Sequence, residues 1–214
     1  MAKEYKGYIF DLDGVLVDTA KYHFKAWKRL ADEMNIRFNE DDNERLKGVS
    51  RMASLDIILE LGNKTLSEEE KVSLATRKNE WYVEFISKMD ASEILPGALE
   101  FLKMLKENGY KCALGSASKN AGLILERTGL KDYFDTVVDG THVSKAKPDP
   151  EVFTLGADNM GLSYTDCVVF EDSVAGLQAA KAAGMVAVGI GEASVLTDAD
   201  MVVKDLSEFN LNML

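Results

Sequence analysis

Two carboxylates, Asp11 and Asp13, stand two residues apart where the apolar run Tyr8-Ile9-Phe10 ends, with Gly14 directly behind them. If that run is a buried strand, its alternation points both acids the same way from its carboxyl end. Like charges held together are unfavourable without a cation between them. Magnesium suits the place, because it takes a few carboxylate oxygens together with substrate phosphate. Gly14 lets the backbone turn at once and approach an anion closely. Alone, such a pair is ordinarily an Asp-rich turn, but three later segments add to it. Ser116-Ala117-Ser118-Lys119-Asn120 offers a hydroxyl and backbone amides at a helix start, a ready phosphate site that in isolation would be only a helix cap. Lys145-Ala146-Lys147-Pro148-Asp149-Pro150 holds a lysine before a rigid turn, and Glu171-Asp172 supplies two adjacent acids that could complete a metal site.

The elements that must position these residues follow from the apolar pattern. Strands are expected at 8–10, 110–115, 136–138, 167–170, 186–190 and 201–203. Helices are expected at 96–108, 119–128, 150–160 and 173–183, closed by Gly109, Gly129, Gly161 and Gly184. Repeated strand–helix units predict an α/β fold, a Rossmann-like parallel sheet with helices on both faces. Ligands bind such sheets at the carboxyl ends of the strands, where all four segments fall. No strand is expected between Val17 and Met89, so this stretch reads as an all-helical insertion. A helix over 19–34 repeats Tyr22, Ala26, Leu30 and Met34 on one face, while Thr19, His23 and Trp27 line another. Asp18 or Thr19 is expected to cap it. Breaks are expected at Asn39-Glu40-Asp41-Asp42 and at Gly62-Asn63, and the charges of 67–71 read as a solvated face. The division is thus a core of 1–17 plus 87–214 and a cap of 18–86.

Composition narrows the function classes. The 214 residues are 46% apolar and 29% charged, enough for a full core, and the net charge is −11. That balance argues against a nucleic-acid footprint, so an anionic substrate must be held by local cations and amides. Cys112 and Cys167 lie in apolar runs and read as buried free thiols. Met1-Ala2-Lys3-Glu4-Tyr5-Lys6 lacks the apolar core of a signal peptide, and no run approaches the ~18 residues of a membrane span. A cytoplasmic monomer without a membrane partner is expected.

Taken in order, Asp11-Leu12-Asp13-Gly14, Ser116, Lys147 and Glu171-Asp172 resemble the four motifs of the haloacid dehalogenase superfamily of phosphotransferases, nearly end to end along the core. The resemblance implies that Asp11 attacks phosphorus to give an aspartyl phosphate and that Asp13 is the general acid/base. It implies magnesium as cofactor, held by Asp11, the Asp13 backbone carbonyl, Glu171 and Asp172. The chemistry is consistent: a carboxylate nucleophile needs charge screening, and a transferring phosphoryl group needs neutralised oxygens, a task for Lys147 and Ser116. The insertion is similar to the helical cap of β-phosphoglucomutases at residues 18–27, at Lys47-Gly48-Val49-Ser50-Arg51 with Ser54, and at Arg77-Lys78-Asn79. It departs at Met52-Ala53, where that family more often has an acid. The likeness implies a small phosphosugar substrate. Thr19 and His23 would join the catalytic group, His23 helping to align Asp13. Lys47, Gly48, Arg51, Ser54, Lys78, Ala117, Ser118, Lys119 and Asn120 would bind substrate, with Arg51 gripping a second phosphate. The implied reaction interconverts β-glucose 1-phosphate and glucose 6-phosphate through β-glucose 1,6-bisphosphate. A sugar-phosphate phosphatase is the alternative on the same core; a signalling receiver domain leaves the helical insertion and the Arg51 segment unexplained, and a plain binding module has no need of both Asp11 and Asp13.

Overall fold

The computed structural model describes residues 4–214, so the first three residues of the amino-terminal stretch lie outside the described residues. Six parallel strands form the core: β1 (Gly7–Phe10), β2 (Lys111–Gly115), β3 (Thr136–Val138), β4 (Cys167–Glu171), β5 (Val186–Ile190) and β6 (Met201–Val203). Their order is β3-β2-β1-β4-β5-β6, which reverses direction at β1. Phe10 pairs with Leu114 on one side and Phe170 on the other, so the three central strands end together. A crevice therefore opens at the switch point, beyond their carboxyl ends.

Both faces of the sheet are covered, which is why its strands read as unbroken apolar runs. Alternation sends Tyr8 and Phe10 to one side and Ile9 to the other. On the first side Phe10 stacks on Phe170 with ring centres 4.8 Å apart, and Phe101 and Phe209 meet Phe170 edge-on. On the second, Ile9 and Val169 pack with Phe153 and Leu177. Burying each such side chain contributes about 1.5–3 kcal/mol. Cys112 and Cys167 are buried free thiols, as expected.

The first four of the α-helices that follow β1 form a separate layer: α1 (Ala20–Glu33), α2 (Glu40–Glu44), α3 (Arg51–Leu61) and α4 (Glu68–Ile86). Helices α1 and α4 pack together, burying Trp27 and Leu30 from one and Trp81, Tyr82 and Ile86 from the other. The chain enters and leaves this layer side by side, for Val17 bridges Ile94 and the Asp18 N–H donates to the Glu93 carbonyl (2.9 Å). The Glu93 carboxylate accepts from Lys21 and from the Tyr22 hydroxyl of α1, tying the two crossings together. The core resumes with α5 (Ala98–Glu107), α6 (Ala121–Thr128), α7 (Glu151–Met160) and α8 (Val174–Ala182). Among the described residues no helix is long and apolar enough to cross a membrane.

Three expectations need correction. Strand β1 stops at Phe10, and Asp13 makes only a single bridge to Val17, so simple alternation does not govern its side chain. Thr19 precedes α1 without capping it, and its hydroxyl donates to Asp13 instead. The acidic stretch 39–42 is the start of α2 and not a break. There Asn39 Oδ1 accepts from the Asp42 N–H (2.9 Å) while Asp42 Oδ2 accepts from the Asn39 N–H (3.0 Å), a capping box that places acids at a helix N-terminus.

Candidate active site

Asp11 is the first residue beyond β1, and Lys147 reaches it from the loop between β3 and α7. The Lys147 ammonium, only 5% exposed, lies 2.5 Å from Asp11 Oδ1 and 2.7 Å from Glu171 Oε2. The other Glu171 oxygen accepts from the Ser173 hydroxyl (2.7 Å) and from the N–H groups of Ser173 (3.1 Å) and Asp172 (3.2 Å). Carboxylate oxygens of Asp11, Glu171 and Asp172 lie within 4.8 Å of one another. Three acids with only Lys147 buried among them, and Lys47 no nearer than 3.9 Å to Asp172, leave this spot short of positive charge. Burial first, then Glu171 and Asp13, push the Asp11 carboxyl up to about 8 against the pull of Lys147. Burial and the neighbouring Glu171 and Asp11 likewise raise Asp172. Burial alone would lower Lys147, but its two carboxylates outweigh it and raise it.

The donor set fits a hard cation, being all oxygen with no sulfur or imidazole. Gly14 makes the fit possible. Its φ is +80°, and a Cβ there would fall 2.2 Å from Asp172 Oδ2, so any side chain would evict the acid. Asp13 does not join the acidic group through its carboxylate. Its backbone N–H donates to Asp11 Oδ2 (3.1 Å), while its own carboxylate accepts from Thr19 at the foot of α1. Burial raises the Asp13 carboxyl, and the Thr19 bond opposes that.

Beside Asp11, β2 runs into the Ser116 turn. Ser116 is wholly buried; its Oγ accepts from the Ser118 N–H (3.1 Å), and Ser118 Oγ accepts from the Asn120 N–H (3.2 Å). These bonds face Ala117, Ser118, Lys119 and Asn120 into the cleft ahead of α6. The Asn120 amide donates to Asn79 Oδ1 of α4 (2.9 Å), a direct link between core and helical layer.

The opposite wall comes from the inserted helices, giving a cleft of about 480 Å³. His23, Arg51, Ser54 and Lys78 all line it, as do Lys47 and Gly48. Lys78, 2% exposed, places Nζ 3.0 Å from His23 Nδ1 and 4.3 Å from the Trp27 ring centre. Burial, helped by Arg51 and opposed by Asp13, lowers the Lys78 ammonium to about 7. Burial and the cations Lys78 and Arg51 hold His23 well below its ordinary value, so it is neutral. The His23 ring stacks on Tyr82 at 4.1 Å. Arg51 opens α3 behind the Ser50 cap; burial lowers it against an opposing pull from Tyr82, and no carboxylate of the described residues is among the groups that act on it. Lys47 Nζ sits 2.8 Å from Glu44 and 3.9 Å from Asp172, reaching across the cleft. Arg77 turns outward to Glu33 (2.9 Å) and takes no part.

Sequence reasoning missed three supporting residues. The Glu151 carboxylate accepts from the N–H groups of Ser144 (2.9 Å) and Lys145 (2.7 Å), pinning the loop that delivers Lys147. Ser173 carries a hydrogen bond to Glu171, and Gly176 leaves room for it, because a Cβ there would lie 2.0 Å from Glu171 Cδ. The only sequence signal is their placement one short turn beyond Lys147 and Glu171. The arrangement puts a lysine-paired carboxylate, a second carboxylate turned toward the cap, and an arginine without an ion-pair partner among the described residues around one cavity.

Comparisons with known proteins agree with this geometry. A haloacid dehalogenase-like hydrolase family model matches residues 5–184. A β-phosphoglucomutase of Bacillus subtilis is 44% identical over 98% of this chain and 93% of its own. The crystal structure of a β-phosphoglucomutase from Clostridium difficile superposes with a TM-score of 0.93 at 42% identity, covering 98% of this chain and 95% of that one. A phosphorylated carbohydrates phosphatase of Thermotoga maritima is 34% identical, over 96% of both chains. By sequence, fold and the order of its acidic and basic residues, the chain belongs to the haloacid dehalogenase superfamily, in its β-phosphoglucomutase family.

Proposed function

We propose that the chain is a β-phosphoglucomutase, interconverting β-D-glucose 1-phosphate and glucose 6-phosphate through an aspartyl phosphate and β-glucose 1,6-bisphosphate. The observation that carries this is one cleft with the Lys147-paired Asp11 on one wall and Arg51 on the other. Lys147 is committed to Asp11 and Glu171, whereas Arg51 has no carboxylate opposing its burial. Removing one phosphate needs the first cation alone; holding a bisphosphate needs both.

Asp11 is the nucleophile: its carboxylate oxygen bonds to phosphorus as the bond from phosphorus to the sugar oxygen breaks. Asp13 gives a proton to that leaving oxygen and takes one from the attacking hydroxyl in the reverse sense. Its bond to Thr19 holds it toward the side from which a sugar arrives. Lys147 and Ser116 neutralise the oxygens of the transferring group. Arg51, Ser118, Lys119 and Asn120 hold the distal phosphate, with Lys47, Gly48, Ser54, Lys78 and Ala117 shaping the cavity. Asp11, Glu171, Asp172 and the Asp13 carbonyl would hold magnesium, which supplies Lewis-acid neutralisation of phosphoryl charge. Residues 18–86 act as a cap that keeps water from the phosphoenzyme, over a core of 1–17 and 87–214. One chain supplies every residue named, which supports a monomer as the working unit.

The test is a phosphorus NMR time course with β-glucose 1-phosphate, magnesium and a trace of bisphosphate. Conversion to glucose 6-phosphate supports the mutase; stoichiometric inorganic phosphate would make the chain a sugar-phosphate phosphatase.

A further inference from the structure

An asparagine just ahead of a helix ordinarily turns its side-chain oxygen onto N–H groups of that helix's first turn. Asn120 precedes α6 and makes no such bond, its backbone (φ −106°, ψ 10°) lying outside the extended geometry that a cap of this kind uses. Its side-chain Nδ2 donates instead to Asn79 Oδ1 of α4, 2.9 Å away in the inserted layer. Ser118 Oγ accepts from the Asn120 N–H (3.2 Å). The core thus holds the backbone of this residue, and the inserted layer holds its side chain.

Asn79 stands on the cleft side of α4. Lys78, Asn79 and Tyr82 line the cavity, whereas Arg77 turns outward to Glu33. Both amides are half-buried, and Asn120 lines the same cavity beside Ser118 and Lys119. A side-chain NH2 group carries two N–H bonds, and Asn79 takes one of them, which gives the other N–H and the amide oxygen of Asn120 a fixed direction. A ligand that meets a freely rotating amide must also immobilise it, and one that meets an amide already held need not. The first N–H groups of α6 also stay clear of their own N-cap side chain, as an anion docking there requires.

We propose that Asn79 is a positioning residue for the second phosphate, holding the Asn120 amide off its own helix and fixed on the wall of the cleft. The assignment rests on the mutase reading, which puts that phosphate against Ser118, Lys119 and Asn120, and it gives α4 a part in the grip. Asn79 needs no contact with the phosphate to do this; it acts through Asn120.

The experiment measures KM and kcat for β-glucose 1-phosphate, with magnesium and a trace of bisphosphate, in the parent, Asn79→Ala, Asn120→Ala and the double variant. Phosphate release from acetyl phosphate is followed alongside. Losing one hydrogen bond that pre-sets a binding group should raise KM about three- to ten-fold in Asn79→Ala and move kcat by less. Because Asn79 acts through Asn120, the double variant should be no worse than Asn120→Ala by itself. An unchanged KM in Asn79→Ala, or losses that multiply in the double variant, overturn the assignment. A parallel fall of acetyl phosphate hydrolysis in Asn79→Ala overturns it too, and would make the amide pair a support of the fold. No conversion of β-glucose 1-phosphate by the parent would overturn the mutase reading and Asn79 with it, whereas normal parent conversion with multiplying losses sinks only Asn79.

Discussion

Replacing Arg51 with alanine separates holding a second phosphate from attacking the first. Burial depresses the guanidinium with no carboxylate opposing, so its removal orphans no buried acid and should leave the fold intact. Arg51 also lowers Lys78 and His23 by its charge, but it is absent from the groups that act on Asp11. A charge-assisted hydrogen bond is worth about 1.5–3 kcal/mol, or roughly one to two decades of affinity. Arg51→Ala should therefore lower mutase kcat/KM by about 10- to 100-fold. Hydrolysis of acetyl phosphate, which has no second phosphate, should change by far less. Arg51→Lys should recover only part of the loss, because an ammonium cannot match the planar bidentate grip. The assay is coupled detection of glucose 6-phosphate beside phosphate release from acetyl phosphate at fixed magnesium. A fall by the same factor in both activities would refute the reasoning, because it would place Arg51 at the reacting centre or in the fold.

Other expectations test the remaining assignments. Asp11→Asn should abolish covalent phosphoenzyme, seen as loss of acid-stable label from radioactive bisphosphate, whereas Asp13→Asn should slow turnover by roughly 10²–10⁴-fold. Gly176→Ala should push Glu171 from its seat, a Cβ lying 2.0 Å from its Cδ, and raise the magnesium needed for half-activity, as Glu171→Ala should. An unshifted magnesium requirement in both would remove Glu171 from the metal site. Lys78 yields a pH signature. Its folded value is depressed to about 7 from 10.5, so between those values the unfolded chain binds more protons and Lys78 makes stability rise with pH. The slope approaches ~1.4 kcal/mol per pH unit, and urea unfolding of Lys78→Met between pH 7 and 9 should lack it. An identical slope in the variant would mean that Lys78 is not buried as a strained cation.

The core was legible because a parallel sheet covered on both faces writes its strands as plain apolar runs, and the proposed reacting residues stand where those runs stop. Phe10 pairs with Leu114 and Phe170, each one residue before the end of its strand, so Asp11, Ser116 and Asp172 had to converge. The cap was legible as helices but not as a surface. Lys78 meets His23 across 55 residues, and Asn79 meets Asn120 across 41, and no periodicity carries such pairings. Local rules also misled where two uses competed for one side chain. Thr19 has the chemistry of a helix cap, yet its hydroxyl goes to Asp13 because the chain crossing at Val17 and Ile94 brings the foot of α1 back over the end of β1. That crossing gives the cap its leverage. Asp13 lies before it and Thr19 after it, so swinging α1 away from the core would pull the donor off Asp13. On the proposed role of Asp13, the proton-transfer group would then be held in place only while the cap is over the sugar, and an open site would favour neither mutase nor hydrolysis. Thr19→Val, which keeps the shape and removes the donor, should lower mutase turnover while leaving formation of the Asp11 phosphoenzyme from acetyl phosphate nearly unchanged. Equal loss of both would place Thr19 with the nucleophile and break the link argued between cap position and Asp13.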